Sequence, residues 1–384
     1  MNHFGEILQN NLPKLFAVFS ILSIAIYTYI WVKVASHFEN IPQKKENSHE
    51  PISVSVIIPF RNESDRISPL LNSILNLNNN EFIEFLFIDD HSTDNSQNTI
   101  KNHPVYSKID CKLFQLDSNE SGKKMAILKG INEAKNNIIL TTDADCEFQP
   151  NTITELYSTF INNQIHLLIA PVFFKTKQHN LIQNYQKIEN TVLVALGFYQ
   201  NKTQKPTMAN GANLMYNKSI FLQLNPFQNN LKIAGGDDIF TLEAFYQFDP
   251  QKVQWTTNAH AAVYSTVLDQ FSELWHQRIR WVKKTIHQST QNTAKSQIFL
   301  ALFFILFWGF TLYSLVFNHY EIATILWLGK AISDLFSIRI IFQKFNQPIQ
   351  NSQIIWSSIF QNFFIPALGI AVPFKKIHWK NRKF

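Results

Sequence analysis

Short apolar runs alternate with polar or helically spaced segments through the middle of the chain. Val54–Pro59 is apolar and β-branched, which predicts a strand buried on both faces. Ile67–Leu77 follows with helical spacing. The alternation continues with two more predicted strands, Phe82–Ile88 and Cys111–Leu116. Ser121–Ala134 is then predicted to form a turn and a helix, and Ile138–Thr142 a fourth strand. This pattern predicts a doubly wound α/β sheet, in which ligands bind at the carboxyl ends of the strands.

A long apolar run near the amino terminus predicts a membrane anchor. Leu15–Val32 carries no charge and approaches the roughly 20 residues that span a bilayer core. A cleaved signal peptide is the competing interpretation. We favour a retained anchor, because only Lys14 precedes the run closely and no good small-x-small cleavage site follows it.

Three more apolar runs lie in the last quarter of the chain. Ile298–Phe317 has no charge and is the clearest predicted span. Ile322–Ile341 contains Lys330 and Asp334, which share one helical face and are expected to pair. Ile354–Phe374 contains polar residues and two prolines, so it is expected to span, to re-enter or to lie in the interface.

Basic residues set the predicted orientation. Lys33, Lys44 and Lys45 follow the first run, which places the amino terminus outside and the next domain in the cytoplasm. The basic tail 375–384 argues for a cytoplasmic carboxyl terminus, which conflicts with a complete third span at this end. We favour the tail inside and an incomplete last span.

The runs divide the chain into four predicted parts. We expect an integral, multi-pass protein of the cell inner membrane with a cytoplasmic α/β domain. The parts are an anchor at 1–39, a linker at 40–52, the α/β domain with an interfacial helix near its end at 53–285, and a membrane region with a basic tail at 286–384.

Composition excludes several classes of protein. Lys plus Arg is 34 and Asp plus Glu is 28, so the net charge of +6 is too small and scattered to favour a nucleic-acid binder. Apolar residues make up 46% and charged residues 16%, which argues against long disorder. Two cysteines exclude a disulfide framework.

An Asp-x-Asp sequence follows the last predicted strand. Asp143 and Asp145 would repel each other there unless a cation lies between them. Mg²⁺ and Mn²⁺ accept one or two carboxylates together with phosphate oxygens. The alternative is a polar loop, and the position after a buried strand favours a metal site.

Asp89 and Asp90 close the second predicted strand. Carboxylates at this place accept hydrogen bonds from a ribose hydroxyl or a base N–H. The alternative is a helix N-cap formed by Ser92, Thr93 or Asp94, and both roles are compatible.

A third acidic pair follows two glycines at Gly235–Asp238. A carboxylate beside such a flexible backbone is suited to act as a general base toward an attacking hydroxyl. The alternative is a capped helix start before Ile239–Tyr246.

Gln277-Arg278-Ile279-Arg280-Trp281 precedes the first carboxyl-terminal span. Arg280 is suited to bind a diphosphate, and Trp281 offers a flat apolar face to a sugar. The alternative is an interfacial helix that places Trp275, Arg278 and Lys283 at the headgroups. Both interpretations are compatible.

Together these motifs resemble the membrane-bound branch of the family 2 glycosyltransferases. In order they are Ile58–Glu63, Asp89–Asp94, Gly122-Lys123 with Ala126 and Gly130, Asp143–Asp145, Asp237-Asp238, Gln277–Trp281 and the tail Trp379–Arg382. Two positions depart from the family pattern. Asp237 replaces the usual Glu, and Asn381 replaces the tail glycine.

The resemblance implies a fold, a reaction and a set of site residues. The fold is GT-A, a Rossmann-like nucleotide-diphospho-sugar transferase domain flanked by transmembrane helices. Asp238 is the implied base, and Asp237 and Arg280 are the other implied catalytic residues. The implied donor-binding residues are Pro59, Arg61, Glu63, Asp89, Asp90, Lys123, Asp143, Gln277, Arg280 and Trp281. Asp143 and Asp145 hold the metal, and the sugar or acceptor pocket takes Asn210, Gly211, Asn213 and Trp281. The stretch at 210–213 is alternatively an ordinary turn.

The implied reaction is inverting transfer from a nucleotide-diphospho-sugar, most simply a UDP-sugar. It requires Mn²⁺ or Mg²⁺, and the acceptor is a hydroxyl of a lipid or polysaccharide at the membrane, with single transfer to a lipid favoured. Two alternatives are a non-catalytic membrane scaffold that binds a sugar nucleotide, and a haloacid-dehalogenase-like phosphatase. Cys146-Glu147 after the Asp-x-Asp does not fit the phosphatase pattern.

Overall fold

A computed structural model describes most of the chain. The described residues are 3–36, 52–178, 180–203, 206, 208–231, 233, 235–287, 291–374, 378–379 and 382–383. Most of the predicted linker, residues 40–51, and Lys380 and Asn381 of the tail motif lie outside them. The chain divides into two compact units, which are treated separately. The α/β unit takes its described residues from Glu39–Lys177, Leu196–Val267 and Ile377–Phe384, and the helical unit from Met1–Phe38, Gln178–Ala195 and Leu268–Lys376.

The secondary structure follows the apolar periodicity of the chain. The helices are α1 (His3–Ser36), α2 (Ser68–Leu75), α3 (Ser96–Asn102), α4 (Val105–Lys108), α5 (Lys123–Glu133), α6 (Thr152–Asn162), α7 (Leu181–Lys202), α8 (Lys218–Leu224), α9 (Asp237–Phe248), α10 (Phe271–His287), α11 (Gln291–Val316), α12 (Tyr320–Lys344) and α13 (Asn351–Ala371). The longer strands are β1 (Val54–Phe60), β2 (Ile83–Asp89), β3 (Cys111–Gln115) and β4 (Ile138–Thr141). The shorter ones are β5 (Cys146–Phe148), β6 (Leu167–Ile169), β7 (Val172–Lys175), β8 (Leu214–Asn217), β9 (Val253–Trp255) and β10 (Val263–Thr266).

A seven-stranded sheet in the order β3-β2-β1-β4-β8-β6-β9 forms the centre of the α/β unit. Strands β1 to β4 run parallel, as predicted, and Phe60 of β1 pairs in register with Asp89 of β2. Strand β8 is antiparallel to both β4 and β6, so the sheet is mixed rather than wholly parallel. The carboxyl ends of β1, β2 and β4 therefore meet at one edge, and the acidic motifs follow them there.

Strand burial explains why the opening segments are so apolar. Every residue of β1 and of β2 is buried, because helices cover both faces of the parallel part of the sheet. Val54, Val56 and Ile58 point to one face and join the main core with Leu70 and Leu71 of α2. A second sheet, β5-β10-β7, adds Phe148 and Val263 to the same core.

The helical unit consists of α1, the first part of α7, and α10 to α13. Its aromatic packing includes Tyr27 of α1 stacked on Phe303 of α11, with ring centroids 4.6 Å apart. The predicted pairing of Lys330 with Asp334 is confirmed, at 2.6 Å and with both side chains buried. The Tyr27 hydroxyl donates to Asp334 at 2.6 Å, and Ser358 of α13 donates to the same carboxylate at 2.5 Å. This polar cluster links α1, α12 and α13.

Two helical segments in the described part of the chain are long and apolar enough to cross a membrane. They are Asn11–Ser36 and Asn351–Phe374, and Ala301–Val316 is a shorter apolar stretch. Helix α13 continues through Pro366 without a break. Its length is therefore compatible with a complete span, and the incomplete last span stays a prediction.

Candidate active site

The loops after β1 and β2 are bonded to each other. The backbone N–H of Asn62 donates to Ser92 Oγ at 2.9 Å, and that of Glu63 donates to Ser96 Oγ at 2.7 Å. Asp94 accepts from the Ser64 N–H at 3.0 Å. Burial would raise the pKa of Asp94, but hydrogen bonds from Ser96 and Ser64 lower it to about 2. Asp94 thus holds this loop pair together as a permanent anion at neutral pH.

The two aspartates that end β2 have different surroundings. Asp89 is fully buried and accepts from the Ser92 N–H at 3.0 Å and from Gln97 Nε2 at 2.6 Å, so both its oxygens serve the local loop and helix α3. Burial raises the pKa of Asp90, while a hydrogen bond from the Gly122 backbone and the charge of Arg61 act against that rise. Arg61 and Asp90, both predicted donor-binding residues, are therefore electrostatic neighbours. Asp89 and Asp90 are both buried, and the nucleoside role of each stays a prediction.

Pro59 and Glu63 frame the first loop. Pro59 is a buried residue within β1, opposite Ile88 of β2, and thus shapes the strand end rather than offering a polar group. Glu63 lies in the loop and pairs with Arg66 at 2.6 Å. Arg66 was missed in the sequence analysis, and its spacing three residues after Glu63 is the only sequence signal for the pair.

The Asp-x-Asp motif forms a turn directly after β4. The Cys146 N–H donates to the Asp143 carbonyl at 3.1 Å, so the motif is a turn and not an extension of the strand. Burial, and then the charge of Asp143, raise the pKa of Asp145 to about 6. The nearby charge of Arg66 offsets part of this rise, and that of Glu63 adds to it.

The donor set of this turn suits a hard divalent cation. The raised pKa of Asp145 shows that its negative charge is poorly compensated by its surroundings. Within the described part of the chain, no cluster of three or more His, Cys, Asp or Glu side chains forms a complete cation cage. Mg²⁺ and Mn²⁺ bind together with nucleotides in such an arrangement. Two carboxylates supply part of the ligand set, and phosphate oxygens and water supply the rest.

Lys123 joins the metal motif to the predicted base motif. Its ammonium lies 2.6 Å from Asp143 Oδ1 and 3.2 Å from Asp237 Oδ2. Burial acts to lower the pKa of Lys123, but Asp143 and Asp237 raise it well above its ordinary value, with a further contribution from Asp238. Carboxylates from two distant segments thus lie around one cation from a third segment, at the carboxyl end of the sheet.

The start of α9 places the third acidic pair. Gly235 and Gly236 have φ of 73° and 81°, which a glycine adopts without strain, and the helix begins at Asp237. Asp237 is 7% exposed and faces Lys123, while Asp238 is partly exposed and accepts from the Ile239 N–H at 2.9 Å. The predicted base is therefore the more accessible member of the pair. The alternative of a helix start is also correct, since the helix includes both aspartates.

Lys124 was missed in the sequence analysis although it adjoins Lys123. Its ammonium is buried, donates to the carbonyl oxygens of Asn230 and Ile233, and lies 4.7 Å from the Phe240 ring centroid. A buried lysine bonded to two carbonyls fixes the loop that leads into α9.

The turn at 210–213 packs against the same cluster. A side chain at Gly211 would place its Cβ 2.6 Å from Asp237 Oδ2 and 3.3 Å from Lys123 Nζ. The Gly211 carbonyl accepts from Thr141 Oγ1 at 3.0 Å, which fastens the turn to the end of β4. Asn210 accepts from the Ala212 N–H at 3.1 Å and so stabilises the turn itself.

Asn213 was predicted to line the sugar or acceptor pocket, and its surroundings argue against that role. It is fully buried and donates to the carbonyls of Pro171 at 2.9 Å and Ala261 at 3.0 Å. Its amide therefore ties the end of the turn to the second sheet, and a ligand cannot reach it without displacing this packing.

Gln277, Arg280 and Trp281 lie on α10 in the helical unit. Burial, and then the charge of Arg278, lower the pKa of Arg280. Arg278 is buried and paired with Glu189, so it does not take the headgroup position considered for it in the sequence analysis. The roles of Gln277, Arg280 and Trp281 toward a donor or acceptor stay predictions.

Comparison with known proteins identifies the fold of the α/β unit. A mannosyltransferase from Pyrobaculum calidifontis, solved with GDP-Man and Mn²⁺, superposes with a TM-score of 0.57 at 12% identity, over 94% of this chain and 98% of the other. The fold is GT-A, as predicted. Residues 55–224 match the family described as Glycosyl transferase family 2. This match confirms the predicted resemblance to the family 2 glycosyltransferases over that segment, and it argues against the phosphatase alternative.

Two curated relatives match part of the chain. A dolichol-phosphate mannosyltransferase of Saccharomyces cerevisiae is 30% identical over 111 residues, which are 28% of this chain and 41% of that protein. The protein of the same name from Pyrococcus furiosus is 30% identical over 111 residues, which are 29% of this chain and 31% of the relative. The chain thus spans less than half the length of either relative.

Proposed function

We propose that this protein transfers a sugar from a nucleotide-diphospho-sugar to a lipid acceptor at a membrane, with inversion at the anomeric carbon. The observation that carries the proposal is the Lys123 bridge, which gathers Asp143 and the Asp237-Asp238 pair at the ligand-binding edge of a GT-A sheet. The two apolar helical segments support a membrane location, and we keep the predicted cytoplasmic orientation of the domain.

The proposed chemistry assigns one step to each part of the cluster. Arg61 and Asp90 bind the nucleoside side of the donor. Asp143 and Asp145 would hold Mn²⁺ or Mg²⁺, which supplies charge neutralisation for the diphosphate leaving group when bound. Asp238 accepts the proton of an attacking hydroxyl, and Asp237 keeps Lys123 in place. Lys123 places a positive charge beside the metal motif, where negative charge develops on the leaving oxygen.

The acceptor class is the finer part of the proposal. Two named relatives are dolichol-phosphate mannosyltransferases, and an undecaprenyl-phosphate 4-deoxy-4-formamido-L-arabinose transferase of Proteus mirabilis is 30% identical over 108 residues, 33% of its length. These names favour a polyprenyl-phosphate acceptor, whose phosphate is largely ionised at neutral pH because its second pKa is about 6. Such a nucleophile needs no base, whereas a lipid hydroxyl does. The partly exposed Asp238 favours the hydroxyl, and we propose that group as the nucleophile.

A donor screen on the full chain in membranes tests the activity directly. We expect metal-dependent release of the nucleoside diphosphate from one member of a panel of UDP- and GDP-sugars, and a matching sugar increment on a membrane lipid by mass spectrometry. A UDP-sugar is our expected donor. Binding of a donor without release under any acceptor condition would favour the scaffold alternative.

Metal removal has a clear expected effect. EDTA should abolish transfer, and Mn²⁺ or Mg²⁺ added in excess should restore it, because two carboxylates and a diphosphate cannot approach closely without a cation. The measurement is nucleotide release before and after chelation. Full activity in chelator would contradict the assignment of Asp143 and Asp145.

The pH dependence of cation binding follows from Asp145. Its carboxyl is protonated below about pH 6 in the metal-free protein, so a proton competes with the cation there. We expect Mn²⁺ affinity, measured by electron paramagnetic resonance, to be constant above pH 7 and to fall roughly tenfold per pH unit well below pH 6. Asp145→Asn should bind more weakly and lose this dependence. An unchanged pH profile in that variant would contradict the role of Asp145.

A further inference from the structure

A buried ion pair lies beside the Gln-x-x-Arg-Trp motif in the helical unit. Arg278 on α10 is 3% exposed, and its Nε donates to Glu189 Oε2 on α7 at 2.7 Å. Its Nη2 approaches the same oxygen at 2.5 Å. Two nitrogen atoms of one guanidinium thus converge on one carboxylate oxygen, which fixes the position of the group.

Glu189 is itself held in place. Its other oxygen accepts from the Tyr185 hydroxyl at 3.1 Å. Tyr185 is buried and packs edge-on against Phe360 and Phe364 of α13, with centroids 4.8 and 5.3 Å away. The carboxylate that meets Arg278 is therefore anchored in a packed aromatic cluster.

Arg278 contacts two signature residues of the motif. Its guanidinium carbon lies 4.1 Å from the centroid of the Trp281 ring, and its Nη1 donates to Gln277 Oε1. A guanidinium over an indole face attracts the ring, and this contact limits the rotation of the indole. Arg278 occupies a variable position of the signature, so the motif alone gives no reason to single it out.

From these contacts, we infer that Glu189 and Arg278 are a positioning pair that sets the side chains of Gln277 and Trp281 for sugar transfer. The inference rests on the proposed function and on the predicted role of Gln277 and Trp281 in binding substrate. Glu189 fixes the position of the Arg278 guanidinium, and Arg278 in turn fixes the indole and the amide. Neither residue needs to touch substrate for this role.

Glu189→Gln removes the charge and keeps the size of the side chain. We expect kcat to fall about 10- to 100-fold, because a misplacement of 1 Å in a substrate-positioning group has an effect of this order. The melting temperature should also fall, since Arg278 is left as an uncompensated buried charge. Asp269→Ala is the matched control, because it removes a 2.8 Å hydrogen bond to Gln183 of the same helix without touching Arg278, and it should retain kcat.

The double variant Glu189→Leu/Arg278→Met separates positioning from stability. An apolar pair of similar volume removes the buried charges and is expected to restore the melting temperature. If the pair positions the motif, kcat stays at least tenfold reduced although the fold is restored. If kcat recovers together with the melting temperature, the pair is only structural and the inference is wrong.

A double-mutant cycle with Trp281→Phe identifies the route of the effect. If Glu189 acts through the motif, adding Glu189→Gln to the Trp281→Phe variant should lower kcat by less than about threefold. Multiplicative losses would contradict the inference. All variants are compared with an active unmodified chain, so a failure of the proposed function shows as absent transfer in that chain, while a failure of this inference leaves it active.

Discussion

Asp238→Asn is expected to lower sugar transfer on the order of 10²- to 10⁴-fold while leaving donor affinity nearly unchanged. The substitution keeps the shape of the side chain and the oxygen that accepts from the Ile239 N–H at 2.9 Å. It removes the negative charge, and with it the capacity to take a proton from an acceptor hydroxyl. The measurements are the rate of transfer with saturating substrates and the dissociation constant of the donor in the presence of Mn²⁺.

Asp249→Asn is the matched control for this prediction. Asp249 follows the last residue of the same helix and accepts from the Gln251 N–H at 3.0 Å, away from the Lys123 cluster. It should retain full transfer. A loss below tenfold in Asp238→Asn would show that no base is required. The base assignment would then be wrong, and an ionised polyprenyl phosphate would be the nucleophile.

Lys330→Met is expected to lower the stability of the helical unit by about 3–5 kcal/mol, the usual cost of leaving one charge of a buried pair without its partner. Lys330 is 1% exposed and Asp334 is 4% exposed, so neither side chain can turn to solvent. Helix α12 carries the pair, and Tyr27 and Ser358 bring α1 and α13 to it. The measurement is thermal or denaturant unfolding in detergent.

Two further variants make this result interpretable. Lys344→Met changes an exposed lysine of the same helix and should have little effect on stability. The double variant Lys330→Met/Asp334→Leu removes both charges and should recover most of the loss. Unchanged unfolding in Lys330→Met would show that the cluster does not hold the helices together.

The same cluster bears on the fate of the amino-terminal helix. The Tyr27 hydroxyl is a hydrogen-bond partner of the Asp334 carboxylate, so removal of α1 would leave a buried anion with fewer donors. This favours the retained anchor over a cleaved signal peptide. The prediction is checked by the intact mass of the purified protein.

The first half of the α/β unit was predictable because its strands are long, apolar and parallel. Strands β1 and β2 are buried along their whole length, and each predicted boundary lies within one or two residues of the observed one. The acidic motifs that follow them could be placed at one sheet edge, since parallel strands share a carboxyl end.

The second half was not predicted strand by strand, for a physical reason. Strands β5, β6 and β9 have three residues each, too few to show a period of two. Strand β8 is antiparallel and its direction is set by pairing with β4 and β6, which are distant in sequence. Tertiary pairing rather than local propensity decides such segments.

Side-chain partners were the least predictable part of the site. The resemblance placed Lys123, Asp143 and Asp237 in one site, but it did not indicate that Lys123 bridges the two carboxylates. The burial of Asn213 could not be predicted either, since a polar turn residue gives the same sequence pattern whether it faces a ligand or the core. Glu189 and Arg278 carried no signal, because they lie 89 positions apart in the chain, on two helices whose facing sides only the fold determines.

Gly211 lies against the cluster of Lys123 and Asp237 and presents only backbone atoms to it. A methyl group there would force the Asp237 carboxylate away from Lys123, because its Cβ would lie 2.6 Å from the oxygen. If the protein transfers a sugar as proposed, attempts to change which sugar it accepts should leave position 211 unchanged. Such attempts should vary residues with free space around their side chains. A larger residue at position 211 would separate Lys123 from Asp237 before it altered the choice of sugar.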